Sequence, residues 1–315
     1  MNPYLQLISL LSSASARFFC SEAELAAALF SVIHFADKFN FSGEDYPSYK
    51  ARMALESVPL LASTPEREIY TTTDYSSDEI KPGSIAYHPV KGLIMADSYW
   101  WFSSKQFVQD LTAAEANPSI NAHFLHVKSG GGEAWYLDEV AKTLIGLDKP
   151  VYTLVEKVAA SAAYYIGVHG KVVKALTQND LIGSIGTMVD GLNIMGYLEK
   201  IGITRIREVA TRSDLKNKKY EDLLKGKPEQ FIREELDPLQ QQFEAAVRAA
   251  RPQLNDLPDD DPVFRGESFY ASPPAIEKTL IDGLTSFDSA LAETDAMGKE
   301  WATRRNNRKS LMSYL

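Results

Sequence analysis

Cysteine is almost absent from this chain: its 315 residues include one, Cys20. No disulfide can close within the chain and no cysteine-rich metal site can form, which fits a reducing compartment. Phe18, Phe19 and Ala23 around Cys20 suggest a small buried hydrophobe rather than a nucleophile. Long apolar runs are lacking too. Residues 4–11 give way to serine-rich sequence and Arg17, and residues 25–35 form an amphipathic stretch carrying His34. Neither approaches the ~20 apolar residues that a membrane-spanning helix needs. Met1-Asn2-Pro3-Tyr4 offers no basic side chain to start a signal peptide. The expectation is a cytoplasmic protein with no membrane span. Positive charge is also short, with 33 Lys and Arg against 42 Asp and Glu and a net charge of -9. That argues against a broad nucleic-acid footprint. No metal or cofactor is expected, and no internal repeat or low-complexity tract stands out.

What is present is a chain that is 45% hydrophobic, enough for one large domain with appendages. Residues 1–80 read as a mostly helical extension and linker. Ser21 can cap a helix running to Phe39, with Glu22 and Glu24 in its first turn. Ser63 to Asp78, rich in Thr and Ser, reads as a linker or arm. From Pro82-Gly83 the rhythm changes. Strands are expected at 84–90, 92–95, 122–127, 151–155 and 172–175, with helices at 100–114, 133–146 and 162–169. Strand, glycine turn, helix, strand is the pattern of an α/β domain with parallel strands. It is expected to fill residues 81–292. Residues 220–251 suggest an amphipathic helix that Pro238 kinks or interrupts, and 252–264 an acidic loop. Residues 293–315, with Arg304, Arg305, Arg308 and Lys309, read as a solvated basic tail.

Three short motifs could carry chemistry. Ser129-Gly130-Gly131-Gly132 stands at a strand-to-helix junction, where glycines allow close backbone approach and unpaired N–H groups can hold an anion. Ala159-Ala160-Ser161-Ala162-Ala163-Tyr164-Tyr165 is a second such junction. A serine there can either cap the helix or present its hydroxyl to a cleft, beside the N–H of Ala162. Leu181-Ile182-Gly183-Ser184-Ile185-Gly186 follows about twenty residues later, and by itself reads as a glycine-bounded turn.

In this order and spacing the three motifs, with Lys149-Pro150-Val151 between the first two, resemble the S49 peptidases. That family includes signal peptide peptidase A and capsid-assembly proteases of phages. The resemblance runs from about residue 83 to about 290, and Gly130 stands where the family has proline. It implies a ClpP/crotonase-like fold of repeated β-β-α units. It also implies a Ser-Lys dyad in which Ser161 attacks the scissile carbonyl and Ala162, with Gly131 or Gly132, holds the oxyanion. Lys216 matches the general base, with Lys218 and Lys219 as neighbouring alternatives, and Ser184 would orient the amine. A lysine base must be neutral, hence occluded, and in this family the site can be completed across a subunit boundary. None of the five histidines sits in a catalytic motif, so core or surface duty is expected of them.

The function implied is a serine endopeptidase acting on a peptide or protein substrate, as a homo-oligomer. A phage or prophage head-maturation protease cutting a capsid or scaffold protein is the preferred biological setting, in host cytoplasm or virion. A cytoplasmic signal-peptide-peptidase-like or quality-control enzyme is the second reading. The same fold serves crotonase-type acyl-CoA enzymes, which would want a Glu or Asp where this chain has Ser161 among alanines. A non-catalytic scaffold is a further reading, opposed by the intact serine and a candidate lysine.

Overall fold

A computed structural model of the chain describes residues 18–20, 60–63, 68–71, 74–98, 101–190, 195–200, 202, 204 and 206–312. The helix expected at 21–39, His34 and the side chain of Cys20 lie outside the described residues.

The centre is a parallel sheet. β4 (Ser84–Lys91), β7 (Ile120–Ser129) and β9 (Val151–Ala160) run side by side. Along its far edge β9 carries both β10 (Val172–Ala175) and β11 (Leu181–Gly183), again parallel. β7 is buried at eight of its ten positions, as expected for a strand covered on both faces. Its alternating side chains show the two layers: Leu125 and Val127 join one apolar cluster, and Phe124 the other. Tyr87, Phe124 and Tyr152 occupy matching register positions on β4, β7 and β9. Their rings stack at 5.8 and 5.7 Å between centroids.

β4 and β7 each hand the chain to a small second sheet and then to a helix, whereas β9 passes straight into one. β4 leads to β5 (Ile94–Met95), β6 (Phe102–Ser103) and helix α1 (Ser104–Ala116). β7 leads to β8 (Gly131–Glu133) and α2 (Leu137–Gly146). β9 leads directly to α3 (Ala162–Gly167). β8 and β5 pair in the second sheet. The units opened by β4 and β7 thus repeat a β-β-α succession. The helices form where the apolar spacing dictates. Phe107, Leu111 and Ala114 line the buried side of α1, and Ser103 caps it by accepting the Gln106 N–H at 3.3 Å. Leu137, Val140, Ala141 and Leu144 do the same for α2, whose first turn carries Asp138 and Glu139.

Several expectations are corrected. The helix anticipated from 133 starts at 137, because Gly131–Glu133 is a strand of the second sheet. Residues in the span read as a linker form an antiparallel hairpin, β2 (Leu60–Ser63) and β3 (Glu68–Thr71), with β2 on the free edge of β4. Tyr75, within the same span, is buried and donates its hydroxyl to the Tyr87 carbonyl. The anticipated 220–251 helix is divided. α4 (Lys218–Leu224) ends before Pro228, a π-helical turn occupies Ile232–Leu236, and α5 (Asp237–Ala250) follows with Pro238 in its first turn. β12 (Ser268–Tyr270) then joins the far edge of β11, antiparallel, and β13 (Gly283–Leu284) pairs with β10.

The basic tail is part of the fold. Residues 287–312 form one helix, α6 (Phe287–Met312), lying across β7 and β9. Ala290, Thr294 and Trp301 are buried at helical spacing, and the Trp301 indole N–H donates to Asp148 Oδ2 at 2.9 Å. Arg304 and Arg308 are exposed, whereas Arg305, one turn beyond Trp301, is half-buried with its guanidinium 5.2 Å from the centre of the indole ring. Among the described residues no helix is long and apolar enough to cross a membrane.

Candidate active site

The parallel register brings the three motifs side by side. Ser129 at the end of β7 pairs with Ala159 of β9, and Ala160 pairs with Gly183 of β11. Ser161 is the next residue of the chain, so it stands between the Ser129–Gly132 turn and the Gly183–Ser184 turn. Its N–H donates to the Gly183 carbonyl at 2.8 Å, and its own carbonyl accepts the Tyr165 N–H at 2.9 Å, closing the first turn of α3.

Ser161 is 2% exposed and adopts φ 56°, ψ -124°. That backbone region is costly for a residue with a Cβ, on the order of 1–3 kcal/mol. A serine at this position usually caps the helix, yet the Ser161 side chain makes no capping bond. Its hydroxyl is thus held at a strained strand-to-helix turn without capping the helix. The N–H of Ala162, the first residue of α3, is one of the first-turn donors that no helical carbonyl satisfies.

The glycine turn is more constrained than its sequence suggests. The fully buried Ser129 donates its hydroxyl to the Gly92 carbonyl at 2.6 Å and accepts the Gly131 N–H at 3.0 Å. The Gly131 N–H is therefore engaged here, and would have to leave Ser129 to donate to an oxyanion. Gly131 has φ 111°, open to glycine alone in practice. Gly132 is required for packing instead: a Cβ there would fall 2.0 Å from the Ile94 carbonyl oxygen. The clamping role of Ser129 is not legible in the motif, where serine looks like one more turn residue. Nor is that of Glu267, whose carbonyl accepts the Ser184 N–H at 2.8 Å. Ser184 is half-buried with φ 52°.

The candidate base is elsewhere on the surface. Lys216 is exposed, in the irregular segment before α4; its backbone N–H donates to the Ser213 carbonyl at 2.9 Å and its carbonyl accepts from Arg207 Nη2 at 2.5 Å. Among the described residues no hydrogen bond joins its amine to Ser161 or Ser184. Lys218 is paired with Asp222 at 2.6 Å, and Lys219 with Glu235 and Glu234, which raises the Lys219 pKa. Lys219 is thus held as an ammonium ion. No side chain in this arrangement supplies a described metal cluster.

Histidine does not replace the lysine. His88 Nε2 and His123 Nδ1 are 3.0 Å apart, and His123 Nε2 lies 3.2 Å from Glu115 Oε2. The chain of bonds assigns an Nε2–H to each ring, His123 donating to the carboxylate and His88 to His123. Burial holds His88 well below the usual histidine pKa and lowers that of His123 against the pull of Glu115. They sit deep in the sheet: His123 pairs with Val151 at the start of β9, whereas Ser161 follows its end. Tyr87 and His126 form a second buried pair at 2.5 Å, and His169 packs edge-on against Tyr165 at 6.0 Å. These are core histidines.

Residues 146–300 match the model of peptidase family S49. A protein of Enterococcus faecium described as a signal peptide peptidase SppA is 34% identical over 106 residues, which cover 33% of this chain and 30% of that relative. Less than a third of the relative's length is thus spanned. Among solved structures, an enoyl-CoA hydratase from Shewanella pealeana aligns over 73% of this chain and 78% of its own, with 13% identity and a TM-score of 0.41. A monofunctional enoyl-CoA isomerase from M. smegmatis aligns over 71% and 83%, with 12% identity and a TM-score of 0.40.

Proposed function

We propose that this chain, whose residues 146–300 match the model of peptidase family S49, is a serine endopeptidase with Ser161 as nucleophile and Lys216 as general base. The observation that carries the proposal is the conformation of Ser161, buried and strained at the head of α3 with its hydroxyl making no helix cap. Strain of this kind persists only where the surroundings impose it. Here β7, β9 and β11 impose it through their register.

In the proposed reaction the Lys216 amine, neutral, takes the hydroxyl proton as Ser161 Oγ bonds to the scissile carbonyl carbon. The Ala162 N–H stabilises the oxyanion, joined by Gly131 or Gly132 once substrate displaces the present Gly131–Ser129 bond. The lysine ammonium then gives its proton to the departing amine, leaving an acyl-enzyme. Water enters, the lysine accepts a proton from it, and the acid product leaves with Ser161 restored. Ser184 positions the amine.

A lysine serves as a base only when its amine is shielded from water, so Lys216, exposed here, must become occluded. Its segment supports a subunit contact as the means. Ile206, Val209 and Leu215 are 88%, 43% and 72% exposed, a concentration of apolar surface in the stretch that bears the lysine. Burying it against a second copy of the chain would desolvate the amine and depress its pKa. The proposed substrate is a capsid or scaffold protein of a phage assembly, with signal-peptide or quality-control substrates as the second reading. Small residues around Ser161 favour small or medium apolar side chains at the cleaved bond.

A fluorophosphonate probe tests the nucleophile. Labelling of the wild type and not of Ser161→Ala supports the proposal; labelling of both, or of neither under conditions where the oligomer forms, contradicts it.

A further inference from the structure

β8 lies at the mouth of the candidate site, two residues beyond the Ser129 that pairs with Ala159. One edge of its Gly132 faces Ile94 of β5. The other edge is taken by β1 (Phe18–Cys20), which runs antiparallel with Phe18 opposite Glu133, Phe19 opposite Gly132 and Cys20 opposite Gly131. β1 comes from the far amino-terminal part of the chain and is three residues long. The remaining strands beside Ser161 are closed by their neighbours: β9 lies between β7 and β11, and β11 carries β12.

An endopeptidase must hold its substrate in extended form, and the general way to do so is to add the peptide to an open strand edge by main-chain hydrogen bonds. Beside Ser161 the outer edge of β8 meets that need, and it ends in the glycines expected to serve the oxyanion. We propose that Phe18–Cys20 occupies the substrate's strand position, so that the chain carries its own competitor, which an extended peptide must displace from β8 before cleavage. This rests on the reading of Ser161 as a peptidase nucleophile. It adds that the site is occupied at rest, and that its opening is set by the affinity of a three-residue strand.

The consequence is arithmetic. If β1 holds the edge nine-tenths of the time, the apparent affinity for peptide falls by about tenfold while the chemistry on bound peptide is untouched. Proline at β1 positions removes the N–H groups that a ladder uses. Alternate residues of an antiparallel strand donate to the partner, so Phe19→Pro and the double variant Phe18→Pro/Cys20→Pro together cover both sets. These residues take no part in the proposed chemistry. The full-length variants would be compared with wild type by amide exchange at Gly131–Glu133, by fluorophosphonate labelling of Ser161, and by KM and kcat on a fluorogenic peptide.

The proposal expects faster exchange at Gly131–Glu133, a KM lowered by roughly tenfold and kcat within about twofold in at least one variant. A synthetic peptide of residues 14–24, added to that variant, should inhibit competitively and restore the protection. Unchanged exchange in both variants overturns the inference, because β1 is then not held on β8. Faster exchange with unchanged KM overturns it as well, because the strand is then only structural. Should the prolines prevent folding, as thermal unfolding would show, competition by the same peptide against wild type decides, and no inhibition counts against the proposal. Absence of labelling and cleavage in every chain is a different failure, that of the peptidase reading itself, and the competitor falls with it.

Discussion

Lys149 and Ser161 stand at opposite ends of one strand, Lys149 just before β9 and Ser161 just after it. Ten strand residues separate them, roughly 30 Å of extended chain. Lys149 has what a lysine base needs: it is buried, and burial lowers its pKa to about 8. Its position excludes it. Its Nζ instead donates to the carbonyls of Ala114 and Asn117 at 2.7 Å each, at the carboxyl end of α1, where a cation also meets the helix dipole. The Lys-Pro-Val motif of the sequence is thus a structural pin.

Replacing that pin should cost stability and spare the site. Lys149→Ala leaves two buried carbonyls without their donor, a loss of about 2–3 kcal/mol. Urea unfolding measures it. Fluorophosphonate labelling of the folded variant at Ser161 should proceed at the wild-type rate. A selective loss of labelling, with stability retained, would place Lys149 in the chemistry after all.

Lys216 should behave in the opposite way. Lys216→Ala removes an exposed side chain whose amine makes no hydrogen bond among the described residues, so its unfolding midpoint should stay within about 0.5 kcal/mol of wild type. Cleavage should drop by about 10²–10⁴-fold. Lys218→Ala and Lys219→Ala, which break ion pairs with Asp222 and with Glu234 and Glu235, should retain turnover. If the lysine acts across a subunit boundary, mixing the inactive Ser161→Ala and Lys216→Ala chains restores part of the activity. Failure of the mixture to recover, in an oligomer shown to exchange subunits, confines the dyad to one chain.

For Ser161 the discriminating measurement is stability, alongside labelling. A helix-capping serine costs about 1 kcal/mol when changed to alanine. Ser161 makes no capping bond, so Ser161→Ala should unfold within about 0.5 kcal/mol of wild type while losing all labelling. A clear destabilisation would mean that the hydroxyl serves the fold.

The three motifs around Ser161 were legible through their order and spacing, which carry the resemblance to the S49 peptidases, and the parallel register of β7, β9 and β11 sets them side by side. The β2–β3 hairpin was not: its strands are only four residues long, and their pairing depends on the edge of β4, which no local pattern announces. The last helix was hidden by its charge. Its buried side is carried by Ala290, Thr294 and Trp301, too sparse a stripe to stand out among arginines and lysines. Lys216 was named from resemblance. Its exposure shows why spacing could not establish it, since occlusion is a property of packing and not of order along the chain.

Glycine at 132 is required by distance. Gly132→Ala would put a Cβ 2.0 Å from the Ile94 carbonyl oxygen, a backbone atom that cannot swing aside. β8 and β5 must separate, at a cost of about 1–3 kcal/mol or more, and labelling of Ser161 should fall with them. Gly146→Ala is the control. Nothing lies within 4 Å of a Cβ there, and alanine near the end of α2 should be neutral or stabilising by up to about 1 kcal/mol. Equal tolerance of both substitutions would contradict the close approach of the two strands.

Acid should unfold this protein earlier than its carboxylates alone require. Burial lowers the His169 pKa from 6.5 to about 4, and holds His88 and His123 down in the same direction. These rings are neutral when folded, whereas in the unfolded chain they take up protons below about pH 6.5. The unfolded state therefore binds more protons, and stability rises with pH across this window. The contribution is complete above pH 6.5 and drains away as pH falls towards 4, amounting to about 3 kcal/mol for His169 alone. Urea unfolding at pH 7.5 and 5.0 samples the window before most carboxylates titrate. Wild type should lose several kcal/mol between the two, and His169→Phe, which keeps an aromatic ring against Tyr165, should lose about 2 kcal/mol less. Equal stability of the wild type at both pH values would mean that the buried histidines accept protons in place.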